Sequence, residues 1–353
     1  MDPSTQTILI TGTSGHAGAH ILLAFLARGY AVLAAVRSQS SASKVSRMLA
    51  AHATPAQQSR VSFAVVPDIT APGAFDGAVS GADGIVHVAS PVRPAGGSFD
   101  VVADILDPAV AGTLGLLDSA RSHGPRVRRV VVTGSMVAVM PFGASVVAAD
   151  HVFTEEDWMS IDRDVAVKSG HPGIAYAASK VLAERAALEY GARHPGLRFG
   201  VVTVVPPSIF GPQINVVDSL DGLNLTPAVV WRIVGGDLAG KEPPSVRPPT
   251  FVDARDLAEA HVRAFEVEKV EGGSRRFLVC GDGVVTGGKI VGVVRERFPE
   301  LEGKLPVGGA EENGWRVSNE RAKRELGMVF RGLEETVVDT VECVLRLEKE
   351  FKG

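Results

Sequence analysis

The sequence predicts an α/β fold, a doubly wound parallel sheet followed by a smaller, mostly helical carboxyl-terminal lobe. Three observations carry this expectation. Short β-branched runs alternate with longer helical patterns through the first two-thirds of the 353 residues, the pattern of a parallel sheet covered on both faces. A glycine-rich turn, Thr11-Gly12-Thr13-Ser14-Gly15-His16-Ala17-Gly18, joins the first apolar run to the first helical one. After Pro206 the texture changes, with prolines at 206, 207, 212, 227, 243, 244, 248 and 249.

The elements follow in order. Strands are expected at Ile8–Thr11, Ala31–Val36, Val61–Val66, Gly84–Val88, Arg129–Thr133 and Phe199–Val204, with helices near 16–28, 43–52, 101–122 and 176–193. Right-handed crossovers then fix the doubly wound topology. Beyond Pro206, helical patterns run at 226–234, 253–268, 287–298, 318–326 and 333–351. The last carries Leu333, Val337, Val341, Val344 and Leu345 on one face and docks as an amphipathic helix. The expected division is a nucleotide-binding domain over 1–205 and a substrate lobe over 206–353, with some elements interleaved. Val130 to Ala149 has no charge and nominally reaches the ~20 residues of a membrane span. Gly134, Pro141 and Gly143 break it, so a buried strand running into an apolar loop is expected instead.

Composition narrows the class. Charged residues are 22%, apolar residues 45% and the net charge is -4, which gives no nucleic-acid footprint. Two cysteines, Cys280 and Cys343, build no disulfide framework, and no Cys/His cluster has metal spacing. The amino terminus has neither a basic start nor an apolar signal core. The expectation is a cytoplasmic enzyme, monomer or homodimer, acting on a small molecule without a membrane or nucleic-acid partner.

Glycines at 12, 15 and 18 let a strand turn sharply into a helix and leave bare backbone on which a pyrophosphate can rest at the helix N-terminus. Thr13, Ser14, His16 and Ala17 complete that turn. From Pro3 to Pro67 there is no Asp or Glu, whereas an NAD site places an acid about 20 residues past the glycines and an Arg there accommodates a 2′-phosphate. Arg37 ends the second strand and Lys44 lies one loop further on, so the cofactor expected is NADP. Ligands of such sheets bind beyond the carboxyl ends of the strands. Those ends are Gly12–Gly18, Arg37, Asp68, Ala89–Pro91, Thr133–Met136 and Pro206–Ser208. Asp68, with Ile69 beside it, stands where a carboxylate accepts from the adenine amino group, and turn capping is the alternative.

Tyr176 and Lys180 lie four residues apart and share one helix face. A phenol titrates near ~10 and a cation within about 4–6 Å lowers an acid by roughly 1–3 units, so the pair suits a general acid. The alternative is a surface pair on an amphipathic helix, since Glu184 and Arg185 follow. Ser135, just past the fifth strand, can donate to a carbonyl oxygen as charge develops. Ser179 is expected to pack. His87 reads as a strand-end histidine, His151 and His171 stay open, and no Ser/His/Asp nucleophile constellation is apparent.

These pieces, with Val36-Arg37-Ser38, His87-Val88-Ala89-Ser90-Pro91, Pro108-Ala-Val-Ala-Gly-Thr113, Val132-Thr133-Gly134-Ser135, Thr154-Glu-Glu-Asp-Trp158 and Phe251-Val-Asp-Ala-Arg-Asp-Leu-Ala-Glu-Ala-His261, occur in one order across almost the whole chain. In that order the chain resembles the extended short-chain dehydrogenase/reductases, in the branch of dihydroflavonol reductases and fungal methylglyoxal or ketone reductases. The resemblance implies NADPH-dependent reduction of a ketone or aldehyde. Tyr176 then matches the proton donor, Lys180 its partner that also holds the nicotinamide ribose, and Ser135 the carbonyl-polarising hydroxyl. Arg37 and Lys44 match the 2′-phosphate pair, and Pro206-Pro207-Ser208 the segment bordering the carboxamide. Val88, Ala89, Ser90 and Thr133 belong to the cofactor-facing strand ends. Three departures stand out: Gly134 for a common Ser, with little chemical consequence expected, Ala111 for a frequent Asn, and Met140 where flavonoid-reducing members are polar. With Pro91, Met136, Val137, Met140, Phe142 and Pro207 the substrate side reads apolar. A redox-neutral sugar-nucleotide epimerase or dehydratase and a non-catalytic dinucleotide-binding protein are the alternatives.

Overall fold

The computed structural model describes residues 2–90, 100–141, 151–268, 270, 274–309 and 316–352. Eleven strands are described: β1 (Thr7–Thr11), β2 (Ala31–Val36), β3 (Val61–Val65), β4 (Gly84–His87), β5 (Arg129–Thr133), β6 (Val152–Phe153), β7 (Gly200–Val205), β8 (Ser208–Phe210), β9 (Phe251–Asp253), β10 (Ser274–Leu278) and β11 (Arg316–Val317). The α-helices are α1 (His16–Ala27), α2 (Gln39–His52), α3 (Pro55–Gln58), α4 (Asp76–Val79), α5 (Asp107–His123), α6 (Arg163–Ser169), α7 (Pro172–Arg193), α8 (Leu225–Val234), α9 (Ala254–Glu266), α10 (Gly287–Arg297), α11 (Glu320–Leu326) and α12 (Leu333–Lys352). All six expected strands form, each within a residue or so of the expected bounds.

Seven strands make one parallel sheet in the order β10-β7-β5-β4-β1-β2-β3. Alternation within each strand sends successive side chains to opposite faces. Ile8, Ile10 and Val131 join one core with Phe25 of α1, Met48 of α2 and Phe265 of α9. Leu9, Val130 and Val132 join the other with Leu116 of α5 and Tyr190 of α7. Both faces are therefore buried, which is why the strands read as unbroken Val/Ile runs. The strand order reverses between β1 and β4, opening the crevice where such sheets bind ligands.

A third core gathers Phe210, Ile233, Phe251, Ile290, Val337 and Val341 in the helical lobe, with α12 docked as expected. Elements beyond the 205/206 division return to the sheet, α9 and β10 first and then α11, whose Ala322 and Leu326 join the first core. After β9, α9 packs on the sheet and β10 pairs with β7, Phe277 opposite Val204. Among the described residues, no helix is long and apolar enough to cross a membrane.

Candidate active site

The glycine turn is shaped by backbone crowding. Gly12 has φ of 73°, and a Cβ there would lie 2.9 Å from the Ala89 nitrogen. A Cβ at Gly18 would sit 2.1 Å from the Gly12 carbonyl oxygen, so strand and helix approach as closely as bare backbone allows. Gly15 caps α1 without a side-chain hydrogen bond, whereas Ser38, Asp253 and Thr286 cap α2, α9 and α10 with side chains. The first N–H groups of α1 are thus left without a side-chain acceptor, the condition in which an anion binds a helix N-terminus. The buried Thr13 hydroxyl also has no protein partner. Ser14 offers its carbonyl to Asn215 Nδ2 at 3.3 Å, and Ala17 packs against the first core. His16 is buried with neither ring nitrogen bonded; burial first, then neighbouring His20, pushes it down to about 3.

Arg37 is exposed directly after β2. Lys44, on α2, already pairs with Asp218 at 2.5 Å, and Arg47 approaches the same carboxylate at 3.7 Å. Asp68 accepts from the backbone and the hydroxyl of Thr70 at 2.8 and 2.7 Å, bonds that hold its carboxyl below the usual range. In this structure it caps its own turn. Ile69 lies against Gly112 of α5.

At the carboxyl ends of β4 and β5 a second constellation forms. Lys180 Nζ donates to Ser90 Oγ at 2.9 Å and stands 5.6 Å from the centre of the Tyr176 ring. Tyr176, one helical turn before Lys180 on α7, is 39% exposed. Ser135 follows Gly134 off β5 and caps a single 3-10 turn, Met136–Ala138. Met136 N donates to the Pro206 carbonyl at 2.8 Å, which ties the Ser135 turn to the Pro206–Ser208 segment. Beneath them lies a cavity of about 20 Å³, lined in part by His87, Ser90, Thr113, Thr133, Lys180 and Glu184. A groove of about 790 Å³ lies apart from these residues, between Arg28, Arg263, Arg275 and Glu325.

Two buried histidines brace these ends. Thr11 Oγ1 accepts from the N–H groups of Val88 and Ala89, both at 3.0 Å, so its proton goes to His87 Nδ1, also at 3.0 Å. The imidazole then carries its own proton on Nε2. Burial, helped by the Lys180 charge, pushes His87 down to about 4. His261 donates from Nδ1 to the Leu257 carbonyl and accepts the Thr133 hydroxyl at Nε2, each at 2.8 Å. Burial pushes it down to about 4 as well. His87 is therefore the strand-end histidine expected. His151 pairs with Asp157 at 3.0 Å, and His171 caps α7 by accepting from Gly173 N. Ser179 packs as expected, donating to the Tyr176 carbonyl.

One expectation needs correction. Met136 and Met140, expected on the substrate wall, are 0% and 2% exposed and pack with Phe153, Val205 and Leu278. As apolar side chains on the inner side of the turn, they back the wall rather than face open space. Val137 is half-buried and Pro207 buried, while Pro91 and Phe142 lie outside the described residues. Glu184, which the surface-pair alternative would place on a solvated face, is buried against Arg276. At Gly134 a Cβ would press to 3.1 Å from Val205 and 3.2 Å from the Glu184 carboxyl, a steric rather than a chemical constraint.

Sequence reasoning missed β10 and the residues it brings to the site. The signal was present: Arg276-Phe277-Leu278-Val279-Cys280 is a short apolar run between glycines. An arginine at its head obscured it.

Residues 8–280 match the NAD dependent epimerase/dehydratase family. Ketoreductase azaE of Aspergillus niger is 33% identical over 98% of this chain and 99% of its own. The NADPH-dependent methylglyoxal reductase GRE2 of Saccharomyces cerevisiae is 31% identical over 97% and 99%. Among solved structures, Gre2 of Candida albicans in complex with NADPH superposes with a TM-score of 0.84 at 27% identity, covering 97% of this chain and 99% of that one. On this sequence match, on the sheet order and on the glycine turn, the chain belongs to the NAD dependent epimerase/dehydratase family, in the branch of the fungal methylglyoxal reductases.

Proposed function

We propose that this protein is an NADPH-dependent carbonyl reductase that converts a ketone or aldehyde to an alcohol, as its relatives' names indicate for them. The observation that carries the reading is the Lys180 ammonium held between the Tyr176 ring and the Ser90 hydroxyl, beside the turn that bears Ser135. The glycine turn fits a dinucleotide: the α1 N-terminus lacks a side-chain cap, and no side chain fits at Gly18. Gly12–Gly18 would hold the pyrophosphate, Arg37 and Lys44 the 2′-phosphate, Asp68 and Ile69 the adenine end. Val88–Ser90, Thr133 and Pro206–Ser208 would border the nicotinamide half. Bound NADPH supplies the hydride.

The protein's own residues manage charge and protons. Ser135 donates a hydrogen bond to the substrate oxygen as negative charge gathers there. Tyr176 gives its phenolic proton to that oxygen, completing the alcohol, and Lys180 keeps positive charge beside the phenolate left behind. Val137, with Pro91 and Phe142, which lie outside the described residues, would give the substrate side an apolar character. Residues 1–205 bind the nucleotide and 206–353 supply the substrate lobe, apart from the Pro206–Ser208 segment and from α9, β10 and α11, which pack with the sheet. The protein acts in the cytoplasm as a monomer or homodimer on a small molecule, with no nucleic-acid or membrane partner.

The test is NADPH consumption with a panel of aryl and alkyl ketones, with Tyr176→Phe as control. A general acid contributes about 10²–10⁴-fold, so kcat falls by that order while NADPH affinity holds. Full turnover in Tyr176→Phe would overturn the acid assignment. A tightly copurifying NAD without turnover of added NADPH would point instead to redox-neutral chemistry.

A further inference from the structure

Glu184 lies one helical turn beyond Lys180 on α7, and its side chain is 1% exposed; its partner Arg276, on β10, is 5% exposed. Burying two charges costs solvation that their attraction only roughly repays, so an ion pair of this kind is poor evidence of stability. Its geometry points elsewhere. Arg276 donates from Nε and Nη2 to the two Glu184 oxygens at 2.9 and 3.3 Å. Its Nη1 donates to the carbonyls of Glu155 and Asp157 at 2.9 and 2.7 Å. The guanidinium also lies 3.6 Å over the Trp158 ring. Glu184 Oε1 accepts a further bond from the Thr203 hydroxyl of β7 at 2.8 Å.

The far end of this network reaches the other wall of the site. Met159 N, next to Trp158, donates to the Ala138 carbonyl at 2.8 Å, bracing the turn that follows Ser135. Directly above, Gly134 leaves room for the Glu184 carboxyl, which would stand 3.2 Å from a Cβ there. One guanidinium therefore joins the helix bearing Tyr176 and Lys180, the 154–159 segment that braces the Ser135 turn, and the edge strand of the sheet. A planar fork with five donors can do this; a single ammonium cannot.

We propose that Glu184 and Arg276 are positioning residues that set the separation between the Tyr176–Lys180 helix and the Ser135 turn. They touch neither substrate nor cofactor. The inference rests on the roles given above to Tyr176, Lys180 and Ser135. Reacting groups displaced by about 1 Å can lose on the order of 10²-fold in rate, so the clamp acts on turnover rather than on cofactor binding.

The experiment compares the full-length wild type with Tyr176→Phe, Arg276→Lys and the double variant Glu184→Met/Arg276→Met. It measures kcat and KM on the best ketone of the panel, NADPH affinity by fluorescence titration, and the thermal midpoint. Arg276→Lys keeps a buried cation opposite Glu184 but loses the fork; kcat falls about 10–100-fold with NADPH affinity unchanged. The double variant replaces the charges with apolar groups at little electrostatic cost, but leaves the Glu155 and Asp157 carbonyls without their donor, so its thermal midpoint falls while kcat of the folded protein stays low. Wild-type kcat in either folded variant overturns the inference, as does a loss of NADPH affinity in step with kcat. Should the double variant not fold, Arg276→Lys decides alone. If Tyr176→Phe is inactive while the clamp variants are unimpaired, only the clamp is wrong; if Tyr176→Phe is fully active, the functional reading itself fails.

Discussion

The glycine turn and the Tyr176–Lys180 wall both stand at the carboxyl edge of the sheet, but they are built in opposite ways. The turn is local: Gly12 to Gly18 shape it with backbone atoms, and Gly12 and Gly18 are kept bare by contacts of 2.9 and 2.1 Å that a Cβ would make. The wall is assembled from side chains far apart in the chain, Ser90, Ser135, Lys180, Glu184 and Arg276, delivered by three different strands and a helix. A backbone site fails when any atom is added to it. A side-chain site degrades by steps, according to which group loses its partner.

The largest effect should therefore come from the turn. Gly18→Val places a Cβ 2.1 Å from the Gly12 oxygen, and the strand–turn–helix junction has no flexible neighbour that can yield. NADPH binding falls by more than about 100-fold, read by titration, in line with the loss of well over ~2.7 kcal/mol. Retained binding would show that the turn is not the phosphate site. A smaller effect is expected at the exposed rim. Arg37→Ala removes a charge-assisted bond worth about 1.5–3 kcal/mol, raising KM for NADPH roughly 10–100-fold and leaving KM for NADH nearly unchanged. Equal changes for both cofactors would remove Arg37 from the 2′-phosphate site.

The smallest effect concerns stability at the wall. His261 is held neutral at about 4 when folded, against 6.5 for the free side chain. Its folded value is depressed, so the unfolded chain binds more protons between those limits, and stability is full above pH 6.5 and lost as pH falls toward 4. From pH 7 to 5 this single residue contributes a loss on the order of 2 kcal/mol. His261→Gln should flatten the fall in thermal midpoint across that range, and an unaltered pH dependence would contradict the assignment. His87, with the same depressed value, leaves part of the slope in place.

How far the sequence alone reached follows the same contrast. Val/Ile runs of five or six residues are legible because both faces of the sheet are buried, and each expected strand forms. The glycine turn is legible for the same local reason. The burial of Glu184 was not legible because helical spacing says which residues share a face, not what that face meets. β10 was passed over because Arg275 and Arg276 interrupt its apolar run, and only the fold shows that Arg276 is buried against Glu184, Trp158 and two carbonyls. Met136 and Met140 were assigned to the wall because the turn after β5 does lie there, but the sequence does not say which side of a single 3-10 turn looks inward.

By itself the sequence determined what short-range physics sets: the alternation that makes a parallel sheet, the glycines that let a helix N-terminus meet a strand, the absence of acid beside Arg37, and the four-residue step from Tyr176 to Lys180. Tertiary structure alone decided which charges are buried and against what. It put Lys44 beside Asp218, made Asp68 a turn cap, fixed the protons on His87 and His261, and drew β10 under the helix that carries the phenol. Those outcomes depend on groups separated by up to 174 residues, whose meeting is set by the packing of whole elements and by no pattern along the chain.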